Sequence, residues 1–178
     1  MSTTMSRLPT LDELRALPAP MPCGVKQIEP HWVDHNGHLN MAFYNVVMDE
    51  SVGALFRPIG LGASYRKERN GSTMTAECHV RYLREVRLGD PLQVFIRLLG
   101  ADEKRIHFFQ ELRHATEGWL SATSENITLH IDMRIRRVAP FPPDIAERVQ
   151  AVVAVHSRLQ LPEGAGRRIG LPAQAPVA

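Results

Sequence analysis

The chain has 178 residues, of which 44% are apolar and 22% charged, and its formal net charge is +2. These values predict one globular domain with a core of its own. The small net charge gives no basis for binding nucleic acid or a membrane surface. Two cysteines make neither a disulfide framework nor a metal site. Because no apolar run could span a bilayer and no signal pattern opens the chain, we expect a cytoplasmic protein.

The sequence pattern of the N-terminal third predicts an arm, a strand and a long helix. Residues 1–22 are rich in Pro, Ser and Thr and predict an N-terminal arm with a short helical stretch at residues 11–17. Residues 23–28 are a strand candidate. Residues 40–56 have the length and composition of a helix, which Pro58 and Gly60 would end. Because this helix is apolar on two sides, we expect it to be buried.

Four strands are predicted after the helix. Residues 73–83 alternate apolar and polar side chains, which indicates a half-buried strand. Residues 92–99, 105–113 and 119–135 predict three more strands, and the joints at 100–103 and 115–118 are short enough for antiparallel hairpins. Residues 143–156 predict a closing helix, and residues 161–178, rich in Gly, Pro and Ala, predict a flexible C-terminal tail.

These elements predict an α+β fold in which one antiparallel sheet wraps around one long central helix. That packing is economical because the helix needs apolar cover on more than one side. We expect the folded domain to span residues 23–160. A sheet this small leaves an apolar face or edge unburied, so we expect a homodimer or homotetramer.

The most informative segment is residues 32–44, Trp-Val-Asp-His-Asn-Gly-His-Leu-Asn-Met-Ala-Phe-Tyr. Here Asp34 precedes a Gly-His-x-Asn turn, and the long helix begins directly after it. A helix start carries free N–H donors and a partial positive charge. A carboxylate beside such donors can activate water or attack a carbonyl while the donors hold the oxyanion. Alternatively, Asp34 and Asn36 form only a turn and a helix entry, because Asp and Asn favour both.

The chain resembles hot-dog-fold acyl-CoA thioesterases of the 4-hydroxybenzoyl-CoA thioesterase type. The matched motif is Asp-x-x-Gly-His-x-Asn-x-x-x-Tyr, formed here by Asp34, Gly37, His38, Asn40 and Tyr44. Further matches lie at residues 82–86 and 89–90, and the resemblance covers residues 23–137. It implies a hot-dog fold and hydrolysis of an acyl-CoA to a free acid and coenzyme A. Since a thioester carbonyl is already electrophilic, we expect no metal or other cofactor, with coenzyme A entering as part of the substrate.

One departure from the family pattern narrows the expected substrate. Many members carry a second acid two positions before the catalytic aspartate, where this chain has Trp32. The variant is similar to betainyl-CoA thioesterases of carnitine breakdown. The acyl group would then carry a quaternary ammonium, for which aromatic faces and a carboxylate are wanted. The candidates near the motif are Trp32, Phe43, Tyr44 and Glu50.

The resemblance implies a role for each motif residue. Asp34 would act as general base or nucleophile, and the backbone N–H of Met41 would polarise the carbonyl. Gly37 allows an unusual turn and a close backbone approach. Asn40 could cap the helix through its side chain and could also orient water or substrate, and the two roles are compatible. His38 either takes part in the reaction or is a hydrogen-bonding residue of the turn.

Further candidates lie outside the motif. Glu50 lies on an otherwise apolar side of the helix. It is either a second catalytic acid, like the helix glutamate of another branch of hot-dog thioesterases, or it forms a structural ion pair with an arginine of a partner strand. Lys104 and Arg105 match the family's basic cluster for coenzyme A phosphates, or form a solvated hairpin end. Alternative phosphate contacts are Arg81, Arg84, Arg134, Arg136 and Arg137.

Two other functions stay open at this point. A hot-dog dehydratase acting on acyl-carrier thioesters resembles a different, His-containing motif on the helix, and residues 41–56 contain no histidine. A non-catalytic acyl-thioester-binding module would keep the fold without the chemistry. The sequence lacks a Gly-x-Ser-x-Gly elbow, a His-Glu-x-x-His zinc motif and a phosphate-binding glycine loop, which argues against those enzyme classes.

Overall fold

The computed structural model describes residues 7–171, which form an α+β fold with one antiparallel sheet. The predicted class is confirmed. In chain order the elements are α1 (Leu11–Arg15), β1 (Met21–Pro22), β2 (Lys26–Gln27), α2 (Met41–Ile59), α3 (Ala63–Arg69), β3 (Gly71–Tyr82), β4 (Pro91–Ala101), β5 (Arg105–His114), β6 (Leu120–Asp132), β7 (Arg137–Val138) and α4 (Pro143–His156). The short helix α3 has no counterpart among the predicted elements.

The sheet has the strand order β1-β4-β5-β6-β3, with β2 also on β4 and β7 also on β6. Both predicted hairpins, β4–β5 and β5–β6, are confirmed. Strand β3 pairs with β6 instead of with β4, its neighbour in sequence, so it forms one edge of the sheet. This crossover brings the end of β3 to the start of α2, where the Tyr82 hydroxyl donates to the Met41 carbonyl at 3.2 Å.

Helix α2 packs against the sheet, where it contacts β1 and β4. Its buried residues are Tyr44, Val47, Met48, Ser51, Leu55, Phe56 and Ile59. The predicted end at Pro58 and Gly60 is confirmed at Gly60, which caps the helix with a φ of 103°, whereas Pro58 lies inside the last turn. Arg148 of α4 donates to the carbonyls of Pro58 and Ile59, both at 2.7 Å. This distant guanidinium satisfies carbonyls that a helix end leaves without partners.

The predicted strand at residues 23–28 is wrong as a single element. Two short strands, β1 and β2, pair with β4 instead, and between them the Cys23 N–H donates to the Val94 carbonyl at 2.8 Å. The described part of the predicted N-terminal arm packs on the domain, since Leu14 is 1% exposed and β1 belongs to the sheet. Residues 1–6 lie outside the described range, and the proposed domain limits stay a prediction.

Strand β3 differs from the predicted half-buried strand. Residues 74–78 are exposed because one side of β3 has no neighbouring strand within residues 7–171. The pairing with β6 shifts between Thr75 and Glu77, which leaves Ala76 as a bulge. The bulge interrupts the alternation, so Thr75 and Cys78 both line a cavity beside α2, although the sequence pattern assigns them to opposite faces.

The C-terminal part matches the prediction more closely. Helix α4 has the predicted bounds and packs on β4, where the buried His156 ring accepts the Leu98 N–H at 2.9 Å. In the described part of the predicted tail, the Gly166 N–H donates to Glu125 at 2.7 Å. Residues 172–178 lie outside the described range. None of the helices in residues 7–171 is long and apolar enough to cross a membrane.

Candidate active site

The motif residues form a tight loop between a short 3₁₀ helix (Pro30–Trp32) and α2. The loop is closed by a β-bridge between Val33 and Leu39. Inside it, the Asp34 N–H donates to the His38 carbonyl and the Gly37 N–H donates to the Asp34 carbonyl, each at 3.0 Å. Gly37 has a φ of 82°, a conformation that L side chains rarely adopt, which explains glycine here. The loop therefore holds Asp34 at a fixed distance from the helix start.

The Asp34 carboxyl is 17% exposed and stays ionised. Burial favours its neutral form, but the Asn36 N–H, which donates to Oδ1 at 2.8 Å, and the nearby charge of His38 together lower the pKa of Asp34 below its ordinary value. The His38 Nδ1 lies 3.8 Å from the same oxygen. Within the described residues, Asp34 Oδ2 receives no hydrogen bond, so it is the oxygen available to a water or a substrate.

The first turn of α2 presents one backbone donor without a partner. Asn40 caps the helix, with its side-chain oxygen accepting the Ala42 N–H and its carbonyl accepting the Phe43 N–H, both at 3.0 Å. The capping interpretation of Asn40 is thus confirmed. The N–H of Met41 has no acceptor among residues 7–171. The positive end of the helix and this free donor form an anion-binding position.

Asp34 and the helix start line the same open cavity, whose volume is about 500 Å³. Loop, helix and the segment after β3 all contribute to its wall. The lining residues are Asp34, His38, Leu39, Asn40, Met41, Tyr44, Tyr82, Leu83, Arg84 and Glu85. A volume of this size suits a small ligand group. The structure thus brings together Asp34, His38, Asn40, Met41 and Tyr44 from the predicted site residues.

Two tyrosines form one wall of this cavity. The rings of Tyr44 and Tyr82 meet edge to face, with centroids 5.0 Å apart and an interplanar angle of 76°. Burial raises the pKa of Tyr44 and also that of Tyr82, so both hydroxyls stay neutral. Tyr82 belongs to the quoted family match but was not proposed from sequence as a site residue. Its alternating strand pattern gave no indication that β3 ends beside α2.

Two other predicted site residues lie outside the cavity wall. Trp32 is buried and stacks on Phe43, with centroids 5.4 Å apart and an interplanar angle of 15°. Its carbonyl accepts the Asn40 N–H at 2.9 Å. Gly37 contributes the turn without lining the cavity. Both residues shape the loop without reaching the cavity. The prediction that Trp32 lies beside the substrate does not agree with this geometry.

Glu50 forms a structural ion pair, one of the two predicted alternatives, and is not a buried catalytic acid. Its side chain is 49% exposed and pairs with Lys26 on β2, the Nζ–Oε2 distance being 2.6 Å. It lies neither on a buried face nor in a cavity. The carboxylate of α2 that does line a cavity is Asp49, in a second space of about 260 Å³ between α2 and β3. The helical pattern alone did not distinguish these two neighbouring acids.

The basic residues divide into two groups. Lys104 and Arg105 lie at the β4–β5 turn, where they pair with Glu103 at 3.2 Å and Asp102 at 2.6 Å, away from the cavity of the same protomer. Arg84 lines the cavity and lies over the Trp119 ring, 3.9 Å from its centroid. An adjoining basic cleft, which shares Tyr82 and Leu83 with the cavity, is lined by His79, Arg81, Arg167 and Arg168.

Comparison with known proteins decides the family. The model of the thioesterase-like superfamily matches residues 28–149. The chain belongs to this superfamily. The predicted membership in the hot-dog thioesterases and the predicted class of reaction, thioester hydrolysis, are confirmed. The matched range contains the loop, α2 and the whole wall of the first cavity.

Three relatives of this thioesterase-like protein are informative. It is 42% identical to a betainyl-CoA thioesterase of Pseudomonas aeruginosa, over 80% of this chain and 90% of that one. A putative thioesterase structure from Pseudomonas putida KT2440 is 35% identical with a TM-score of 0.74, over 89% of this chain and 100% of that chain. A Staphylococcus aureus protein solved in complex with CoA is 28% identical with a TM-score of 0.77, over 84% and 94% of the two chains.

Proposed function

We propose that the protein hydrolyses betainyl-CoA, or a closely similar small acyl-CoA, to the free acid and coenzyme A, with Asp34 as the catalytic carboxylate. The observation that carries this proposal is that an ionised Asp34 and the free Met41 N–H line one cavity. The betainyl-CoA thioesterase of Pseudomonas aeruginosa and the CoA-bound Staphylococcus aureus protein support the choice of substrate.

The proposed reaction uses groups that are already in position. The thioester carbonyl accepts a hydrogen bond from the Met41 N–H, and the positive end of α2 stabilises the oxyanion that forms. Asp34 Oδ2 either takes a proton from the attacking water, or attacks the carbonyl carbon itself to form a mixed anhydride that water then hydrolyses to the free acid. The departing group is the thiolate of coenzyme A, a good leaving group. Neither route requires a metal or another cofactor.

We further propose that two copies pair through the open edge of β3. The strand exposes Met74 and Tyr82 to 41% and 44%, and an unpaired edge is a template for another strand. Antiparallel pairing centred on Cys78 would set Met74 of one copy opposite Tyr82 of the other. In the sheet, Arg105 of β5 lies opposite Leu129 of β6, and Leu129 lies opposite Met74 of β3. The β4–β5 turn of one copy would then lie beside the cavity of the other.

This arrangement gives Lys104 and Arg105 a role that they cannot have within one protomer. From the second copy they could contact the phosphates of coenzyme A, together with the basic cleft around Arg81. Light scattering coupled to size-exclusion chromatography tests the proposal. The expected mass is that of a homodimer or of a tetramer built from it, and the mass of a monomer would contradict the pairing. The location that we propose for this assembly is the cytoplasm.

The direct test of function is thiol release from a panel of acyl-CoA thioesters. Asp34→Asn is expected to lower kcat/KM by about 10²–10⁴, because the amide can neither accept the proton of water nor attack the carbonyl. The matched control is Asp49→Asn, the same chemical change in the second cavity, which should keep the rate within about threefold. Equal activity of wild type and Asp34→Asn would establish a binding module instead of an enzyme.

Further measurements distinguish Asp34 as general base from Asp34 as nucleophile, and hydrolysis from the rival dehydratase reaction. Rapid-quench mass spectrometry detects the acyl mass on the protein only if Asp34 attacks as nucleophile. A dehydratase would produce an unsaturated acyl thioester without releasing thiol. Helix α2 carries no histidine, so it lacks the base that this rival reaction uses.

A further inference from the structure

We infer that Tyr82 and Tyr44 form the surface that receives the quaternary ammonium of the acyl group, with Asp34 and Glu85 as the facing negative charges. The inference rests on the proposed function and adds to it the residues that select a cationic acyl group. It assigns specificity to Tyr82 in particular, because this side chain is hydrogen-bonded to Met41 at the helix start.

The covalent structure of the substrate fixes where the cation must lie. In a trimethylammonioacetyl thioester the nitrogen is bonded to the carbon next to the carbonyl. A carbonyl held by the Met41 N–H therefore carries the ammonium within a few ångströms of Met41. Tyr82 is hydrogen-bonded to this same residue: its hydroxyl donates to the Met41 carbonyl at 3.2 Å. Tyr44 follows Met41 by three residues on α2 and lines the same cavity.

The two rings provide a suitable surface. They meet edge to face at 5.0 Å, so their faces point in different directions around the space beside the helix start. A quaternary ammonium cannot donate a conventional hydrogen bond and is attracted to the negative face of an aromatic ring. Tyrosine provides this face without placing a competing charge there.

Charge in the cavity favours a cation as well. Hydrogen bonds and charge from Arg87, which lies 2.7 Å from Glu85, lower the pKa of Glu85, so this carboxyl is ionised together with that of Asp34. The guanidinium that lines the cavity, that of Arg84, is held over the Trp119 ring at 3.9 Å. Both carboxylates line the space, but that of Glu85 is shared with Arg87, whereas that of Asp34 has no arginine partner among the described residues.

Of the candidates that the sequence offered near the motif, Tyr44 lines the cavity and the other three do not. Trp32 and Phe43 stack on each other outside the cavity wall, and Glu50 pairs with Lys26. The competing interpretation is that Tyr44 and Tyr82 are a general apolar wall for any acyl group. The two interpretations predict different behaviour towards substrates of equal shape and different charge.

The test compares betainyl-CoA with 3,3-dimethylbutanoyl-CoA, in which carbon replaces the charged nitrogen at the same size. Because the ammonium also withdraws electrons from the carbonyl and raises its intrinsic reactivity, the quantity compared is the ratio of the two kcat/KM values in each variant relative to the same ratio in the wild type. Tyr82→Leu should lower this ratio by about tenfold relative to the wild-type ratio, whatever its effect on the neutral substrate alone. Tyr82→Phe keeps the ring and should keep the ratio, and so should Phe43→Leu, the control outside the cavity.

Each other outcome is informative. Equal kcat/KM for the two substrates in the wild type, or an equal loss on both in Tyr82→Leu, overturns the inference and leaves thioesterase activity standing. No thiol release from any acyl-CoA refutes the proposed function itself. Circular dichroism and light scattering check that the variants fold and assemble. If Tyr82→Leu does not fold, Glu85→Gln on the exposed rim decides the matter, with a loss of preference of about threefold expected and an unchanged ratio contradicting the inference.

Discussion

The two cavities beside α2 both contain a carboxylate from the helix or its entry, yet they differ in what surrounds it. In the first, Asp34 lies near an amide of the first helical turn that has no acceptor within residues 7–171. In the second, Asp49 lies beside the middle of the helix, where every backbone N–H has its partner one turn earlier. Only the first cavity can therefore stabilise an oxyanion with the backbone.

The polar side chains of the second cavity bind one another. Gln110 donates to the Met48 carbonyl at 2.8 Å, and Asn126 donates to Gln110 at 3.3 Å and to Ser124 at 2.8 Å. A network whose donors and acceptors are paired rigidifies the core. The difference teaches that the position of an acid relative to a helix end, more than its residue type, determines whether it can catalyse.

The strongest test of this difference removes the free amide itself. Met41→Pro deletes the N–H at the first helical position, where proline is tolerated, and the extended Asn40 (ψ 141°) suits a following proline. We expect kcat to fall by about 10²–10³ while the fold is retained. Met41→Ala keeps the N–H and should stay within a few-fold of wild type. A fully active Met41→Pro would remove the helix start from the mechanism.

The pH dependence of the rate tests the charge state of Asp34. The carboxylate is the active form, and its pKa is lowered, so activity should be lost only as pH falls through a midpoint below the ordinary value of about 3.9. His38→Asn removes a positive charge that lowers this pKa, so the midpoint should move upward. The kcat/KM profile measures both. An acid limb near neutral pH in the wild type would assign the catalytic base to another group.

The cap of α2 should affect stability more than chemistry. Asn40→Ala removes the acceptor of the Ala42 N–H and is expected to lower the free energy of unfolding by about 1 kcal/mol. Asn40→Asp keeps an acceptor at the same place and should restore most of the loss. Urea denaturation followed by circular dichroism gives both values. A loss of activity in Asn40→Ala far beyond its loss of stability would favour the role in orienting water or substrate.

The smallest effect is expected at Glu50. Its pair with Lys26 is exposed on both sides, and such pairs contribute about 0–1 kcal/mol. Glu50→Gln should leave the rate unchanged and the urea midpoint nearly so. A rate loss comparable to that of Asp34→Asn would reverse the assignment of Glu50 as a surface residue.

Local patterns predicted much of this molecule correctly. The two hairpins and helix α4 were predicted because short joints and helical spacing are properties of neighbouring residues. The loop around Asp34 was predicted because Gly37 and Asn40 have local backbone and capping preferences. Family resemblance then gave those local features a chemical interpretation.

Patterns failed where a distant element decides the outcome. Helix α2 runs past Pro58 with Arg148 of α4 bound to its end, and β3 is exposed because its partner is β6. The short α3 was missed, although its Tyr65 hydrogen-bonds to His130 of β6 at 2.7 Å. Glu50 is exposed and Asp49 lines a cavity because the orientation of α2 on the sheet depends on all of its contacts.

The sequence by itself determined the class of fold, the acid–turn–helix motif and the family, because these depend on residue types at short, fixed spacings. Only the tertiary structure decided that Tyr82 meets the start of α2 and that Trp32 and Glu50 stay outside the cavity. The reason is physical. Which side chains share a cavity depends on the strand crossover, the bulge at Ala76 and the rotation of one helix against a sheet, and these are set by the packing of the whole chain.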